Sequence, residues 1–327
     1  MKTEYQQLSV KDREKIAIFR AQGRSIRVIA KELGRHHSTI IREITRNGTP
    51  INDSYYLPSQ ANEKAKVRKR EAGKRKRLKS ETIRWYVEAK LNLGWSPEQI
   101  AGRISMDIPA TRISHEAIYQ YIYFEALYLR GCLARKHRKR LPKKYSRKHR
   151  RSHIPNRIMI DERPLSVNRR KEFGHWEADS IVSQADRSRL NVLVERRSRF
   201  VQITKMDNGS PSSTRLAIQQ RLLPFPKYAR RSITYDNGFE NLEHELINQT
   251  LETHSYFCHP FHSWEKGSVE NTAGLIRRFI RKGIEIGPLQ DRFIHRIEFL
   301  LNNRPRKCLE FHTPLELFNY LGGALPR

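Results

Sequence analysis

Apolar residues recur at helical spacing through the first fifty positions. Ser9 with Asp12 three residues on reads as a capping box, and Ile16, Ile18 and Phe19 supply the apolar stripe of a helix that stops near Gly23. Ser25 is placed to cap a second short helix with Ile26, Ile29, Ala30 and Leu33 turned inward. Gly34 then makes a turn, and a third helix runs from Thr39 to Arg46 before Asn47-Gly48. Three short helices with a glycine at the second junction read as a helix-turn-helix domain over residues 1–50. Further along, Ser96-Pro97-Glu98-Gln99 sets a cap, a first-turn proline and a reciprocal Gln for a helix through Ile100 and Ile104. Ser114 caps another, His115 to Tyr123, with Ile118, Tyr121 and Ile122 on one face. Residues 91–130 thus read as a second helix-turn-helix-like module, or as a helical spacer supporting the first.

The rear of the chain changes period. Trp176 to Val182, Asn191 to Glu195, Phe200 to Thr204 and Ser232 to Tyr235 read as short strands, the fourth after a helix from about Ser212 to Leu223. An α/β domain over 166–327, a mixed sheet with flanking helices, is the architecture this order predicts. A long helix is expected from Lys266 to about Lys282.

Charge adds the partner. The 64 Lys and Arg against 34 Asp and Glu leave +30, most of it ahead of residue 158, and such an excess is matched by a polyanion. Ten of the sixteen positions 64–79 and eleven of the seventeen positions 135–151 are Lys or Arg. They suit a basic helical linker over 51–90 and a basic linker over 131–165 lying along phosphate. If the front unit reads DNA, its third helix enters the major groove. Arg35, His37, Ser38, Thr39, Arg42 and Arg46 are then the candidate contacts.

Cys132, Cys258 and Cys308 lie far apart, which suggests neither a disulfide framework nor a four-ligand zinc site. His36-His37 and His149 with His153 lack nearby cysteines and read as DNA contacts or solvated groups. No apolar run reaches the roughly 20 residues that span a bilayer, and the polar N-terminus lacks a signal core. A soluble, cytoplasmic protein with no membrane partner and no small-molecule substrate is expected.

Three carboxylates carry the candidate chemistry. Asp179 lies inside the first strand, Asp236 follows Ile233-Thr234-Tyr235 at a strand end, and Glu270 lies on the predicted long helix, with Arg277 two turns beyond on nearly the same face. Each alone has a plainer explanation: Asp236 suits the Asn237-Gly238 turn, and Glu270 suits a solvated helix surface. Converging, they suit hard divalent ions such as Mg²⁺, which take oxygen ligands. Two such ions could activate a water or 3′-hydroxyl and stabilise the leaving oxygen.

The motifs as a set resemble the bacterial insertion sequence thirty family of transposases, which carry an Asp, Asp, Glu triad. The likeness covers nearly the whole chain. It runs through Gly34-Arg35, Ser38-Thr39-Ile40, Arg42-Glu43-Ile44, Trp95 to Ala101, Gly174-His175-Trp176-Glu177, Asp236-Asn237-Gly238, Glu270-Asn271-Thr272, Leu301 to Lys307 and Thr313-Pro314. The thirty-three residues between Asp236 and Glu270 match the family's spacing.

The resemblance implies a ribonuclease H-like catalytic domain of the retroviral integrase type behind all-α helix-turn-helix domains. It also implies cleavage at the element's ends and strand transfer into target DNA. Asp179, Asp236 and Glu270 would be both catalytic residues and metal ligands, for Mg²⁺ as two ions, with Mn²⁺ as a substitute. Lys266 and Arg277 would face DNA, Trp264 helping to position the strand. The partners implied are double-stranded DNA, as terminal inverted repeats and target, and further copies of the chain, at least a dimer, in a nucleoid-associated bacterial protein. A DNA-binding regulator with a non-catalytic rear domain, and a nuclease that cuts without joining, are the alternatives. Four positions depart from the family pattern: Ala178 replaces a glycine, His36-His37 a Ser-Pro, and Glu265 a Gln. The methyl of Ala178 is expected to narrow the approach to the first aspartate.

Overall fold

The computed structural model describes residues 7–48, 56–73, 77–78, 80–133, 154–183, 186–260 and 262–323. The chain divides into two compact units, Met1–Arg77 and Leu78–Arg327. The basic run 135–151, with His149 and His153, lies outside the described residues.

The front unit contains α1 (Val10–Ala21), α2 (Ile26–Glu32), α3 (His37–Asn47) and α4 (Pro58–Gly73). The Ser9–Asp12 capping box is present on α1, whereas Ser25 starts α2 without a side-chain hydrogen bond. Ile16, Ile29, Ala30, Ile40 and Ile44 share one core with Tyr56 and Ala61. Ile18 and Ile26, expected inward, are 53% and 36% exposed. Two residues along a helix rotate the side chain by roughly 200°, so Ile18 cannot share the face of Ile16. At Gly34 the backbone takes φ +61°, which a residue with a Cβ adopts only at a cost. The buried Arg13 pairs with Glu43 at 2.7 Å, and the Tyr56 hydroxyl donates to the same carboxylate at 3.0 Å, tying α1 to α3. The basic run that starts at residue 64 begins as α4, packed on α1 and α3.

The rear unit opens with α5 (Glu81–Asn92), α6 (Pro97–Asp107), α7 (His115–Phe124) and a 3-10 turn at Leu127–Cys132. Ser80, Ser96 and Ser114 cap the three helices, Ser96 within a capping box. Val87, Leu91, Ile100, Ile104, Ile118 and Ile122 form their common core. After α8 (Leu165–Asn168) come β1 (His175–Val182), β2 (Arg189–Glu195), β3 (Val201–Met206), α9 (Pro211–Leu222) and β4 (Ser232–Tyr235). Then follow α10 (His244–Leu251), β5 (His254–Phe257), α11 (Gly267–Ile276), α12 (Asp291–Asn302) and α13 (Pro314–Leu321).

The five strands form one sheet in the order β3-β2-β1-β4-β5. The first three pair antiparallel, and β4 and β5 continue parallel to β1. Three antiparallel strands extended by two parallel ones, with helices on both faces, are the ribonuclease H-like arrangement. Strand alternation sorts the two cores. Trp176, Ala178, Leu193 and Ile233 pack with residues of α9, α10 and α13. Ile181, Val192 and Val194 pack with residues of α11 and α12. Gly174 enters β1 at φ +90°, and a Cβ there would lie 2.3 Å from the Tyr228 carbonyl oxygen. The Trp176 indole, fully buried, donates to the Ala229 carbonyl at 2.8 Å.

The helical module at the start of this unit is docked on the end of the chain. Gln99 donates to the Pro305 carbonyl at 2.7 Å and accepts from Arg304 at 2.9 Å. Arg103 forms a fork with Glu316 at 2.6 and 2.7 Å. At Gly102 an added Cβ would fall 2.4 Å from the Phe311 ring, so its lack of a side chain admits that ring.

Burial pulls the His175 imidazole down to about 4 from 6.5, against the pull of Glu172, and its Nδ1 lies 2.7 Å from the Ser232 hydroxyl. The unfolded chain therefore takes up a proton that the folded one refuses. Unfolding free energy should fall as pH drops from 6.5 towards about 4. Urea titrations across that window should show a flatter profile in His175→Asn; an unchanged slope would assign the pH dependence to other groups.

Candidate active site

The parallel register pairs Glu177 of β1 with Thr234 of β4. Two residues on come Asp179, still within β1, and Asp236, one residue past the end of β4. The side chain of Lys266 enters between them. Its Nζ lies 3.2 Å from Asp179 Oδ1 and 3.3 Å from Asp236 Oδ2, and donates to the Ala178 carbonyl at 3.0 Å. Burial works against this ammonium, but the Asp236 and Asp179 charges outweigh it and raise its pKa above the ordinary lysine value. Asp236 does two jobs. Its Oδ1 accepts from Gly238 N at 3.1 Å and Asn241 Nδ2 at 2.9 Å, serving the turn, which leaves Oδ2 to face Lys266.

Ala178 does not crowd the aspartates. Strand alternation sends its methyl to the opposite face of the sheet, into the core with Trp176 and Leu193, and only its carbonyl meets Lys266.

Sequence patterning missed what holds α11 in place. Glu177, fully buried on the same face of β1 as Asp179, accepts from the backbone N–H of Ser268 and of Val269, both at 3.0 Å. Its other oxygen pairs with buried Arg196 at 2.5 Å. A strand carboxylate thus satisfies two of the open donors at the start of α11 and meets the positive end of its dipole. The only signal in the sequence was a second acid two residues before Asp179. Glu240 is likewise drawn in: burial, then the nearby Asp236 charge, pushes its pKa up.

Glu270 lies in the first turn of α11, exposed, and is not gathered with the two aspartates. Helix α11 ends at Ile276, six residues short of the expected Lys282, so Arg277 is its C-cap. The Arg277 side chain turns back to donate to the Val182 carbonyl at 2.8 Å, at the end of β1. Just ahead of Lys266, His259, His262 and Glu265 form a cluster without cysteine. Trp264, 69% exposed, stacks on His262 with ring centres 4.4 Å apart.

In the front unit, Ile40 and Ile44 bury one face of α3, and His37, Arg42 and Arg46 lie on the exposed remainder. Arg35, Ser38 and Thr39 are partly buried. His36 replaces a hydroxyl cap: its Nδ1 accepts from Ser38 N at 3.4 Å and lies 2.8 Å from the Ser38 hydroxyl. Arg42 folds back on Ser38, donating to its carbonyl at 3.1 Å and its hydroxyl at 3.0 Å.

Residues 4–47 match a family described as a helix-turn-helix domain. Over most of its length the chain is similar to transposases of insertion elements. It is 34% identical to the transposase for insertion sequence element IS1086 of Cupriavidus metallidurans, covering 97% of this chain and 95% of that one. It is 37% identical to the transposase for IS4351 of Bacteroides fragilis, over 91% and 90%. For transposase InsI of IS30A from Escherichia coli the identity is 34%, over 95% and 82%. Among solved structures, the catalytic core of BIV integrase overlaps 45% of this chain and 94% of its own at 18% identity, TM-score 0.35. The HTLV-2 integrase catalytic core in complex with magnesium overlaps 45% and 97% at 19% identity, TM-score 0.34.

Glu177→Gln keeps the shape of the side chain but leaves Arg196 buried without its anion. Such a change should lower unfolding free energy by about 3–5 kcal/mol, read as a shifted denaturation midpoint. A loss below about 1 kcal/mol would show that the pair is not what secures α11.

Proposed function

The chain belongs to the insertion sequence thirty family of transposases, and we propose that Asp179, Asp236 and Glu270 are the carboxylates with which it cuts and joins DNA. The observation that carries this reading is the meeting of Asp179 and Asp236 on one cation, Lys266 Nζ, with Glu270 four residues downstream of that lysine. Two carboxylates, one in β1 and one just past β4, that share one positive charge are a donor set suited to a hard cation. Asp236 and Glu270 are open enough to solvent to exchange partners. All three would hold Mg²⁺, as two ions, with Mn²⁺ as a substitute.

When bound, the metal lowers the cost of ionising the attacking water or 3′-hydroxyl and of the charge on the leaving oxygen. The chain's own residues set the stage. Glu177 and Arg196 fix α11 against β1, so that Glu270 projects from a rigid turn. Lys266 holds the two aspartates together against their mutual repulsion, and is positioned to yield one of them as divalent charge enters. Trp264 offers an exposed ring for a base or sugar of the strand, and Arg277 a cation for its phosphates.

The substrate of this reading is double-stranded DNA. The front unit binds the terminal inverted repeats of the element through Arg35, His37, Ser38, Thr39, Arg42 and Arg46, and the rear domain acts on those ends and on target DNA. Two ends must be held together for joining, which calls for at least two copies of the chain. The work would be done on the bacterial nucleoid.

Two experiments test this. With Mg²⁺ and a DNA fragment carrying the element's end, Asp236→Ala and Glu270→Ala should each reduce cleavage by at least about 10³-fold; full activity in either removes that residue from the set. Shifted but uncut DNA with the unaltered chain would favour a regulator, and cut but unjoined ends a nuclease. In the second experiment, Arg42→Ala should weaken end binding about 10-fold and lower the slope of log affinity against log salt by about one if Arg42 contacts phosphate. Loss of discrimination at an unchanged slope would place Arg42 on a base edge instead.

A further inference from the structure

Between β5 and α11 the chain gathers two imidazoles and a carboxylate. His259 Nδ1 lies 3.0 Å and His262 Nδ1 3.1 Å from the same oxygen of Glu265, and one ligand atom from each of the three residues lies within 4.8 Å of the others. With bonds of about 2.1 Å, two ligands of a tetrahedral ion stand about 3.4 Å apart. Little movement separates the observed cluster from that shape.

Its parts are held for the purpose. Glu265 Oε2 accepts from the backbone N–H of His259 at 2.8 Å, which aims Oε1 at the two rings. His259 presents its other nitrogen, Nε2, to the Asp161 carboxylate at 2.9 Å. A carboxylate on the far nitrogen of a histidine fixes the tautomer that leaves the near nitrogen free to ligate. Two nitrogens and one oxygen differ in kind from the all-oxygen set of Asp179, Asp236 and Glu270, and favour Zn²⁺ over Mg²⁺. His259 and His262 are 31% and 43% exposed, so the cluster has an open side for an entering ion and a water.

We propose that His259, His262 and Glu265 form a site for a borderline transition-metal ion, Zn²⁺ above all, separate from the three carboxylates. Three protein ligands and one open position are the coordination this geometry allows. The ion would pin the loop from which Lys266 and then Glu270 emerge. The site does not depend on the roles given to Asp179, Asp236 and Glu270.

The test is metal binding by the full chain, freed of metal by a chelator, in excess Mg²⁺ and without DNA. Co²⁺ is the visible-absorption probe, and Zn²⁺ is measured by competition against it. One equivalent should bind, with the absorption bands of a nitrogen and oxygen environment. His262→Ala and Glu265→Gln should each weaken binding at least about 100-fold, and Asp161→Asn about 10-fold. Glu265→Gln keeps the size and shape of the side chain, and circular dichroism checks that each variant is folded. Asp236→Ala should bind Zn²⁺ as the unaltered chain does, which separates failure of this site from failure of the carboxylate assignment. Absence of tight binding, or the same affinity in His262→Ala and Glu265→Gln, would overturn the proposal.

Discussion

The rear unit depends on one buried carboxylate. Glu177 sits on the central strand, fully buried, and a lone charge there would be prohibitively costly. Arg196 on one oxygen and the first amides of α11 on the other neutralise it. Because a carboxylate with two sets of partners cannot rotate freely, the strand and the helix are fixed in register with each other. Val269 and Ile276 then meet Ile181, Val192 and Val194. Asp179, two residues along the same face of β1, inherits that alignment. The ion pair is therefore less a source of stability than a constraint on geometry.

A second cation makes the aspartate pair possible. Two carboxylates brought together by adjacent parallel strands repel each other unless a positive charge lies between them, and Lys266 supplies it from the loop before α11. The same lysine leads into the helix that Glu177 caps. Helix, lysine and aspartates therefore form one mechanical unit: displacing α11 would withdraw the ammonium and separate the acids. Arg277 closes the other end by holding the Val182 carbonyl, so α11 is anchored to both ends of β1.

Much of this was legible in the chain, for identifiable reasons. Capping boxes at Ser9 and Ser96 are local, and both form as read. The strand Ser232–Tyr235 is a short apolar run between turn signals and falls where expected. The strand His254–Phe257 was not recognised: its residues carry little alternation, and its partners are supplied by β4. The helix at Glu270 was read too long because Arg278 to Lys282 has good helix formers, whereas tertiary packing of Ile280 and Ile286 into the core bends the chain away. Asp179, Asp236 and Glu270 stand out as a set through the family likeness, since each alone has a plainer reading. Glu177 and Lys266 draw their meaning from partners about 90 residues away, as Glu177 does from Ser268 and Val269. No local pattern reports such contacts.

The two helical modules also divide their work by chemistry. Each reads in sequence as a helix-turn-helix, but α3 carries Arg42 and Arg46 on its exposed side, while α7, His115–Phe124, contains no Lys or Arg and has Glu116 in its first turn. The polar groups of α6 are already committed: Gln99 to Arg304 and Pro305, Arg103 to Glu316, Glu98 to Lys307. A helix that spends its polar groups on its own domain has few left for phosphate. The family likeness at Trp95 to Ala101 and at Leu301 to Lys307, distant in sequence, is then one feature: the two faces of a joint. That joint builds the second module into the rear unit and commits the polar groups of α6 to it.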